Sequence, residues 1–393
     1  MIEFQSVSKT FRNGTAAVVD LSLRVPTDQV TVVVGPPGSG KTTTVAMVNR
    51  LIEPTSGAIS WDGTPLRSRR KTALRRQLGS VVQGGGLFPH RTVVDNIATV
   101  PGLLGWSKAK TQTRSLELLE RVGLDRTFAD RYPVQLTGGQ QVRVAIARAL
   151  AANPTVLLMD EPFAGVDPEV RSELHQLFRT LQPEIGLTVI LASSEIDEAV
   201  ALGDQVAILG VGGRLAQVGT PRQLLEEPAD AFVESFVGRD RGYRALSFLS
   251  ADGLSLHGVK VVRDPTAAAG GDPTLVLDAD ARPTGWVDAD RPGELLPLGA
   301  TFDVESGDLR SALDAALTSP FGLAVGVGAR SRFAGVASAE TILASLRSGR
   351  PGPAAVEGQP AYGYGDHAWA ELGDESGDDV DAIALEPEEA GVR

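Results

Sequence analysis

A glycine-rich segment that ends in a lysine constrains this chain more than any other feature. Residues 35–44 read GPPGSGKTTT; the β-branched run Val30–Gly35 leads into them, and a pattern predicting a helix over Lys41–Leu51 follows. Glycines let backbone N–H groups converge on phosphate oxygens, and a helix N-terminus adds partial positive charge. The order strand, loop, helix therefore predicts a phosphate-binding loop.

Each residue of this loop has an expected part in holding a nucleotide. We expect Lys41 to reach the β and γ phosphates and the Thr42 hydroxyl to ligate magnesium. Pro37 has no backbone N–H to offer, so nucleotide binding is expected to be weaker. The residues predicted to surround the phosphates are Gly35, Pro36, Pro37, Gly38, Ser39, Gly40, Lys41, Thr42 and Thr43.

Two carboxylates follow a second apolar run. Val156–Met159 is suited to a strand buried on both faces, and Asp160 and Glu161 come directly after it. The carboxyl ends of such strands face the ligand crevice of an α/β sheet. We expect Asp160 to orient magnesium. Glu161 is expected to accept a proton from the attacking water, a role worth roughly 10²–10⁴ in rate.

A glycine pair opens a third segment, Leu136–Gln141, which reads LTGGQQ. Gly138 and Gly139 begin a predicted helix, whose N-terminus offers N–H donors to an anion. The phosphate loop already has its own donors, so a second anion site is explained if two chains sandwich ATP head to tail. The alternative is that the glycines serve only to cap the helix.

Composition excludes several classes of protein. The chain of 393 residues contains no cysteine, so disulfides and thiol nucleophiles are ruled out. No apolar run approaches the roughly 20 residues of a spanning helix, and the opening residues do not predict a signal peptide. We therefore expect a soluble, cytosolic protein. The net charge of −12 resides mostly in residues 351–393, which leaves no basic field for nucleic acid.

The pattern along the chain predicts three parts. Residues 1–240 alternate strands and helices, which indicates a mainly parallel, doubly covered α/β sheet with a helical insertion over about 84–140. Residues 241–350 predict a small α+β region with one clear helix, Leu309–Leu317, and the short strands Thr274–Leu277, Leu323–Val327 and Phe333–Val336. Residues 351–393 are rich in Gly, Pro, Asp and Glu and are predicted to be disordered.

Residues 1–240 resemble the ATPase subunit of ABC transporters, and LTGGQQVRVAIARAL is similar to the signature of that family. The resemblance implies an ABC-type P-loop ATPase fold and further roles. Phe11 would stack on adenine, Gln83 would contact magnesium and the membrane subunit, and Asp167 would lie in the loop that meets the partner ATPase. The signature residues implied to complete the partner's nucleotide site are Thr137, Gly138, Gly139 and Gln140.

The sequence around these motifs resembles that of the ATPase subunits of osmoprotectant importers, which take up glycine betaine, carnitine, choline or proline. The segments that carry this resemblance are Asn49–Gly57, Gly86–Ile97, Leu103–Ser107 and Arg131–Gln141. ATPases of that subgroup often carry a pair of CBS modules, which residues 241–350 resemble. The first module, about 241–290, lacks most of a helix. The second, about 295–348, has Thr341 where the ribose-binding motif that begins at Ser338 requires an acid.

The chain departs from the family at the residue that bonds the γ-phosphate and the attacking water. The family has a histidine there, whereas this chain has Ser194 in the segment Ser193–Ala199. A hydrogen bond to a charged group is worth roughly 1.5–3 kcal/mol, so we expect hydrolysis that is about one to two decades slower.

Together these features predict the ATP- and Mg²⁺-dependent subunit of an ABC importer for compatible solutes. It would form a homodimer through the ATP sandwich. It would lie at the cytoplasmic face of the membrane on permease subunits, with a solute-binding protein as an indirect partner. Three alternatives remain open: an importer of another small solute such as an amino acid, a slow or regulatory nucleotide-binding subunit, and, for residues 241–350, a purely dimerising role. The acidic tail predicts either an ionic-strength sensor or a solubilising segment.

Overall fold

The computed structural model describes residues 1–267, 273–288 and 293–348. The tail predicted to be disordered, 351–393, lies outside the described residues. Met1–Ser345 packs as one compact unit, so the division of that unit at residue 240 remains a prediction.

The strands before residue 240 build two sheets. In chain order the strands are β1 (Ile2–Thr10), β2 (Ala16–Val25), β3 (Val30–Val34), β4 (Ser56–Trp61), β5 (Thr64–Pro65), β6 (Leu78–Val81), β7 (Val156–Asp160), β8 (Thr188–Ser193), β9 (Gln205–Leu209) and β10 (Leu215–Gly219). One sheet has the order β2-β1-β4-β5 and is antiparallel. The other has the order β10-β9-β3-β8-β7-β6 and is parallel except at its β10 edge.

Helices cover the second sheet and fill the insertion. They are α1 (Lys41–Val48), α2 (Lys71–Gln77), α3 (Val93–Ile97), α4 (Thr99–Leu103), α5 (Lys108–Arg121), α6 (Gly138–Leu150), α7 (Pro168–Ile185), α8 (Ile196–Leu202), α9 (Pro221–Glu226) and α10 (Ala231–Val237). The predicted helix over Lys41–Leu51 is too long, because α1 ends at Val48 and Arg50 adopts a left-handed φ of 56°.

Both faces of the parallel sheet are buried, with alternate residues facing two different cores. Val32 and Val34 of β3 pack into one core and Val33 into the other. Leu157 and Leu158 of β7 divide in the same way. Two buried faces explain why these strands read as continuous apolar runs rather than as alternating patterns.

The helical insertion lies between β6 and α6 and is built from short capped helices. The Thr92 side chain caps α3 and the Ser107 side chain caps α5. Gly123 follows α5 with a φ of 75°, a conformation that favours glycine. Leu118 and Leu119 of α5 and Val142 of α6 are buried in one core, which attaches the insertion to the sheet.

Beyond residue 240 the chain forms a smaller α+β region with two similar halves. Its elements are α11 (Arg241–Ala245), β11 (Lys260–Val262), β12 (Thr274–Leu277), β13 (Pro283–Val287), β14 (Leu295–Leu296), β15 (Thr301–Asp303), α12 (Leu309–Thr318), β16 (Leu323–Val327), β17 (Phe333–Ser338) and α13 (Ala339–Ser348). In each half two parallel strands are followed by an antiparallel third: β11-β12-β13 in the first and β15-β16-β17 in the second.

The two halves differ in the connection between their parallel strands. In the second half this connection contains α12, whereas the described part of the first has only the 3₁₀ turn Pro265–Ala267, with 268–272 outside the described residues. Leu275 and Trp286 of the first half share one core with Val325 and Val336 of the second. The identification of these halves as CBS modules stays a prediction.

Candidate active site

The candidate site lies at the carboxyl-terminal edge of the parallel sheet. β3, β8, β7 and β6 are neighbours, and the chain segments that leave them carry the phosphate loop, Ser194, Glu161 and Gln83, respectively. Parallel strands that run side by side deliver their following residues to one crevice. Residues more than a hundred positions apart in the sequence are thereby gathered at one edge.

Close backbone approaches fix the phosphate loop. Gly40 has a φ of 83°, and a Cβ at this position would lie 2.1 Å from the carbonyl oxygen of Ala17. A Cβ on Gly35 would lie 2.2 Å from the carbonyl oxygen of Leu209. Because neither site has room for a side chain, both positions require glycine. The loop is thus held between β2 and the end of β9.

Lys41 is buried inside the loop, where only 6% of its side chain is exposed. Its Nζ donates hydrogen bonds to the carbonyl oxygens of Gly35 and Pro36, at 2.8 and 3.2 Å, and lies 3.8 Å from Glu161 Oε1. Burial lowers the pKa of Lys41, and the charges of Glu161 and Asp160 oppose that shift. An anion in the loop would stabilise the ammonium group that burial disfavours.

Thr42 and Asp160 meet across the site. The Thr42 hydroxyl donates a 3.0 Å hydrogen bond to Asp160 Oδ1. Burial raises the pKa of Asp160, and the charge of Glu161 contributes in the same direction. A hydroxyl and a carboxylate oxygen are hard ligands of the kind that Mg²⁺ takes beside phosphates. A divalent cation would also offset the burial of the Asp160 charge, so these residues fit the metal.

Glu161 and Ser194 form the other side of the site. Glu161 adopts a left-handed φ of 45°, and its backbone N–H donates to the carbonyl oxygen of Ala192 at 2.9 Å. The Ser194 hydroxyl donates a 3.3 Å hydrogen bond to Glu161 Oε2. One carboxylate therefore faces both Lys41 and Ser194.

A buried hydroxyl in the loop has no hydrogen-bond partner among the described residues. Ser39 is 0% exposed, and its Oγ is left without a protein donor or acceptor. An unsatisfied buried polar group is costly unless a ligand or water bonds it. The loop therefore fits a phosphate group both in its backbone shape and in its unused polar atoms.

Comparison with known proteins agrees with this geometry. Residues 18–164 match the ABC transporter family. The osmoprotectant import ATP-binding protein of Salmonella typhimurium is 40% identical over 326 residues, which cover 82% of this chain and 84% of that protein. This chain belongs to the ABC transporter family.

Other members of the family resemble it over different lengths. The glycine betaine uptake system ATP-binding protein of Escherichia coli is 42% identical over 72% of this chain and 96% of that protein. The carnitine transport ATP-binding protein of Listeria monocytogenes is 45% identical over 61% of this chain. That match spans 60% of the Listeria protein. The match to the choline transport ATP-binding protein of Bacillus subtilis spans 63% of that relative, so both cover less than two thirds of the relative's length.

Among solved structures, a dimeric ATP-binding cassette in a post-hydrolysis state, bound to ADP and Pi, has a TM-score of 0.52. It is 31% identical and covers 56% of this chain and 99% of that chain. A protein from Clostridium perfringens that is part of an ABC transporter complex has a TM-score of 0.54 at 30% identity, over 57% of this chain and 90% of that one.

The signature segment of this ABC protein is held by its own contacts at the start of α6. Thr137 and Gln140 bond each other in a capping box at the start of α6. A Cβ on Gly139 would lie 2.3 Å from Val170 Cγ1, whereas one on Gly138 would meet nothing within 4 Å. In the described part of the chain, no hydrogen bond or ion pair joins this segment to the loop. Gly138 thus faces open space at a helix N-terminus.

Within the described ranges, the side chains of the remaining predicted residues form no hydrogen bond or ion pair with Lys41, Asp160, Glu161 or Ser194. Phe11 is 38% exposed, with the Lys9 ammonium 5.3 Å from its ring centroid. Gln83 is exposed in the turn after β6, and the Asp167 carboxylate caps α7 by accepting from the N–H of Glu169. Their predicted contacts with adenine, metal and partner stay predictions.

One contact that supports the site was not predicted from the sequence. Arg171 of α7 pairs with Glu195, the residue after Ser194, and also donates to the carbonyl oxygen of Val166 at 3.1 Å. It thereby joins the segment around Ser194 to the loop that follows Glu161. The position of Arg171 four residues after Asp167 was visible in the sequence, but its pairing with Glu195 required the fold.

No helix within the described ranges combines the length and hydropathy that crossing a bilayer requires.

Proposed function

We propose that this chain binds and hydrolyses ATP as the motor subunit of an importer for compatible solutes. These would be quaternary amines such as glycine betaine, carnitine or choline, or proline. The observation that carries the ATPase proposal is the meeting of Lys41, the Thr42–Asp160 pair and Glu161 at one sheet edge. The solute class rests on relatives named for osmoprotectant and glycine betaine uptake that match most of their own length.

Each group has a task in this proposal. The phosphate loop binds the β and γ phosphates through its N–H groups and Lys41. Thr42 and Asp160 would hold Mg²⁺, which supplies positive charge against the phosphate oxygens. Glu161 accepts the proton of the attacking water, and its carboxylate is oriented by the hydrogen bond from Ser194 Oγ.

Ser194 favours a second candidate, a slow or regulatory nucleotide-binding subunit. Its hydroxyl is shorter than the histidine of the family and carries no charge, and in this structure it bonds Glu161. In that case ATP occupancy would matter more than turnover.

The proposed assembly contains two copies of this chain and two kinds of partner. Gly138 of each copy would complete the nucleotide site of the other. Membrane permease subunits would hold the dimer at the cytoplasmic face of the membrane, and a solute-binding protein would act through them. ATP binding closes the dimer and hydrolysis reopens it.

A hydrolysis assay tests the ATPase proposal. In Glu161→Gln, phosphate release should fall at least about 100-fold while ATP binding persists, because the proton acceptor is lost and the phosphate loop is intact. Glu226→Gln is the matched control, since among the described residues Glu226 pairs only with Arg222 on the surface of α9. Equal rates in wild type and Glu161→Gln would contradict the proposal. A low rate in both, with tight ATP binding, would favour the regulatory candidate.

An uptake experiment tests the solute class. Deleting the gene should abolish uptake of at least one of radiolabelled glycine betaine, carnitine, choline or proline, and wild type, but not Glu161→Gln, should restore it. Unchanged uptake of all four, with loss of another amino acid, would reject this solute class.

A further inference from the structure

The helix α11 is the first helix of the smaller α+β region, and it contacts both α12 of that region and α8 beside the parallel sheet. Two neighbouring side chains of α11 contact two different helices. Tyr243 donates a hydrogen bond to Asp314 of α12, and the Arg310 guanidinium lies 5.0 Å from the centroid of the Tyr243 ring. Arg244 instead pairs with Asp197 of α8. One short helix therefore connects α12 to the helix that follows Ser194.

The contacts of Arg244 fix its guanidinium from several sides. Its Nε and Nη2 donate to Asp197 Oδ1 and Oδ2, at 2.7 and 3.3 Å. Its Nη1 donates to the carbonyl oxygen of Val237 at 2.5 Å and to Asp240 Oδ1 at 2.7 Å. Only 13% of the side chain is exposed. A two-pronged arginine–carboxylate pair of this kind restricts geometry more than a single exposed ion pair does.

Asp197 lies in the first turn of α8, three residues after Ser194. With seven residues, α8 is too short to be stable by itself, so the direction in which it leaves β8 depends on tertiary contacts. Two such contacts involve charged pairs: Arg171 with Glu195 and Arg244 with Asp197. Together they hold the segment that directly follows Ser194 and thereby fix how the chain turns from β8 into α8.

We infer that Arg244 is a positioning residue for ATP hydrolysis, which acts through Asp197 to keep the Ser194 hydroxyl on Glu161. The inference rests on the proposed ATPase function. Through Tyr243, the same helix makes the orientation of this turn dependent on α12. The smaller region thus contributes to the active site by a contact that does not involve a nucleotide of its own.

A matched pair of variants in the full-length protein tests this inference. Arg244→Gln should lower kcat severalfold, and by no more than Ser194→Ala does, since it acts by misplacing the hydroxyl that Ser194→Ala removes. KM for ATP should stay within twofold, because the phosphate loop is untouched. Arg241→Gln is the control: Arg241 lies on the same helix, but within the described ranges its side chain pairs only with the surface residue Glu234. Asp197→Asn should reproduce the effect from the other side of the pair.

Two further measurements separate positioning from a structural effect. Combined with Ser194→Ala, Arg244→Gln should cause little additional loss of kcat, because both act through one hydroxyl. Amide hydrogen exchange of residues 193–202 should accelerate in Arg244→Gln and not in Arg241→Gln, which can be read without hydrolysis. Additive losses, or unchanged exchange, would overturn the inference. Absence of hydrolysis in the wild type would instead contradict the proposed function.

Discussion

At the scale of single residues, Glu161 shows how the fold fixes the side chain that we propose accepts the proton. A left-handed backbone costs a residue other than glycine about 1–3 kcal/mol, and Glu161 adopts it with a φ of 45°. The bond from its N–H to Ala192 of the neighbouring strand stabilises this conformation. The turn directs the carboxylate toward Lys41 and Ser194.

Ser194 gives a prediction at the same scale. Ser194→His should raise the rate of hydrolysis about tenfold, because the longer side chain can bond the γ-phosphate as well as the attacking water. Ser194→Ala should lower the rate severalfold, because Glu161 loses a hydrogen-bond donor. Steady-state phosphate release measures both. A rate that neither substitution changes would show that this position has no part in hydrolysis.

The individual residue types could be predicted from the sequence, whereas their hydrogen bonds could not. The phosphate-loop spacing identified Lys41 and Thr42, and the apolar strand identified Asp160 and Glu161. The bonds from Lys41 to the Gly35 and Pro36 carbonyl oxygens follow from the local path of the loop, which spacing does not specify.

At the scale of elements, α7 and α8 pack together through a buried pair of titratable groups. His175 Nε2 lies 4.0 Å from Glu198 Oε1, and the His175 ring contacts Phe163 edge-on. Burial lowers the pKa of His175 to about 4, assisted by Arg171. Burial raises the pKa of Glu198 to about 7, despite a hydrogen bond from Ser193 that opposes the shift. The neutral forms of both groups are therefore favoured in the folded protein.

These two shifts have opposite effects on stability. A carboxyl with a raised pKa stabilises the fold fully below its unfolded value of 4.5, and this contribution is lost as the pH rises through about 7. A histidine with a lowered pKa stabilises the fold above its unfolded value of 6.5, and this contribution is lost as the pH falls through about 4. Between pH 4.5 and 6.5 the two slopes largely cancel.

Substituting Glu198 should expose the pH dependence of stability that His175 contributes. The free energy of unfolding of Glu198→Gln minus that of wild type should increase by about 3 kcal/mol between pH 4.5 and 7. The variant lacks the contribution of Glu198 that falls over this range. Urea unfolding at four pH values measures this difference. Glu184→Gln, which removes a glutamate that is 52% exposed from the neighbouring helix α7, is the matched control. A difference that stays constant with pH would contradict the assigned shift.

At the scale of the whole molecule, Gly138 distinguishes a helix cap from a shared nucleotide site. A Cβ here meets nothing within 4 Å, and a carboxylate near a helix N-terminus is favourable, so Gly138→Asp should fold like wild type. If the partner's nucleotide lies against this N-terminus, the added charge should abolish ATP-dependent dimerisation of Glu161→Gln. Size-exclusion chromatography with ATP measures this; a dimer that persists would support the cap alone.

The smaller region also shows where prediction at this scale succeeds and where it ends. The strands Thr274–Leu277 and Leu323–Val327 follow from short β-branched and apolar runs, and the structure has them with those bounds. The shared core of Leu275, Trp286, Val325 and Val336 was not predictable, because periodicity assigns a residue to a face but does not say which face it meets.

By itself, the sequence predicted which residues would bind phosphate and which residue would accept the proton, because those tasks need particular residue types at short, fixed spacings. It also determined the alternation of apolar strands and helices. Only the tertiary structure decided that Ser194 meets Glu161, that Arg171 meets Glu195 and that Arg244 meets Asp197. These partners are 24 to 47 positions apart. They meet because β3, β8 and β7 are neighbours and α11 packs beside α8, and strand order and helix docking depend on the burial of whole faces rather than on any local pattern.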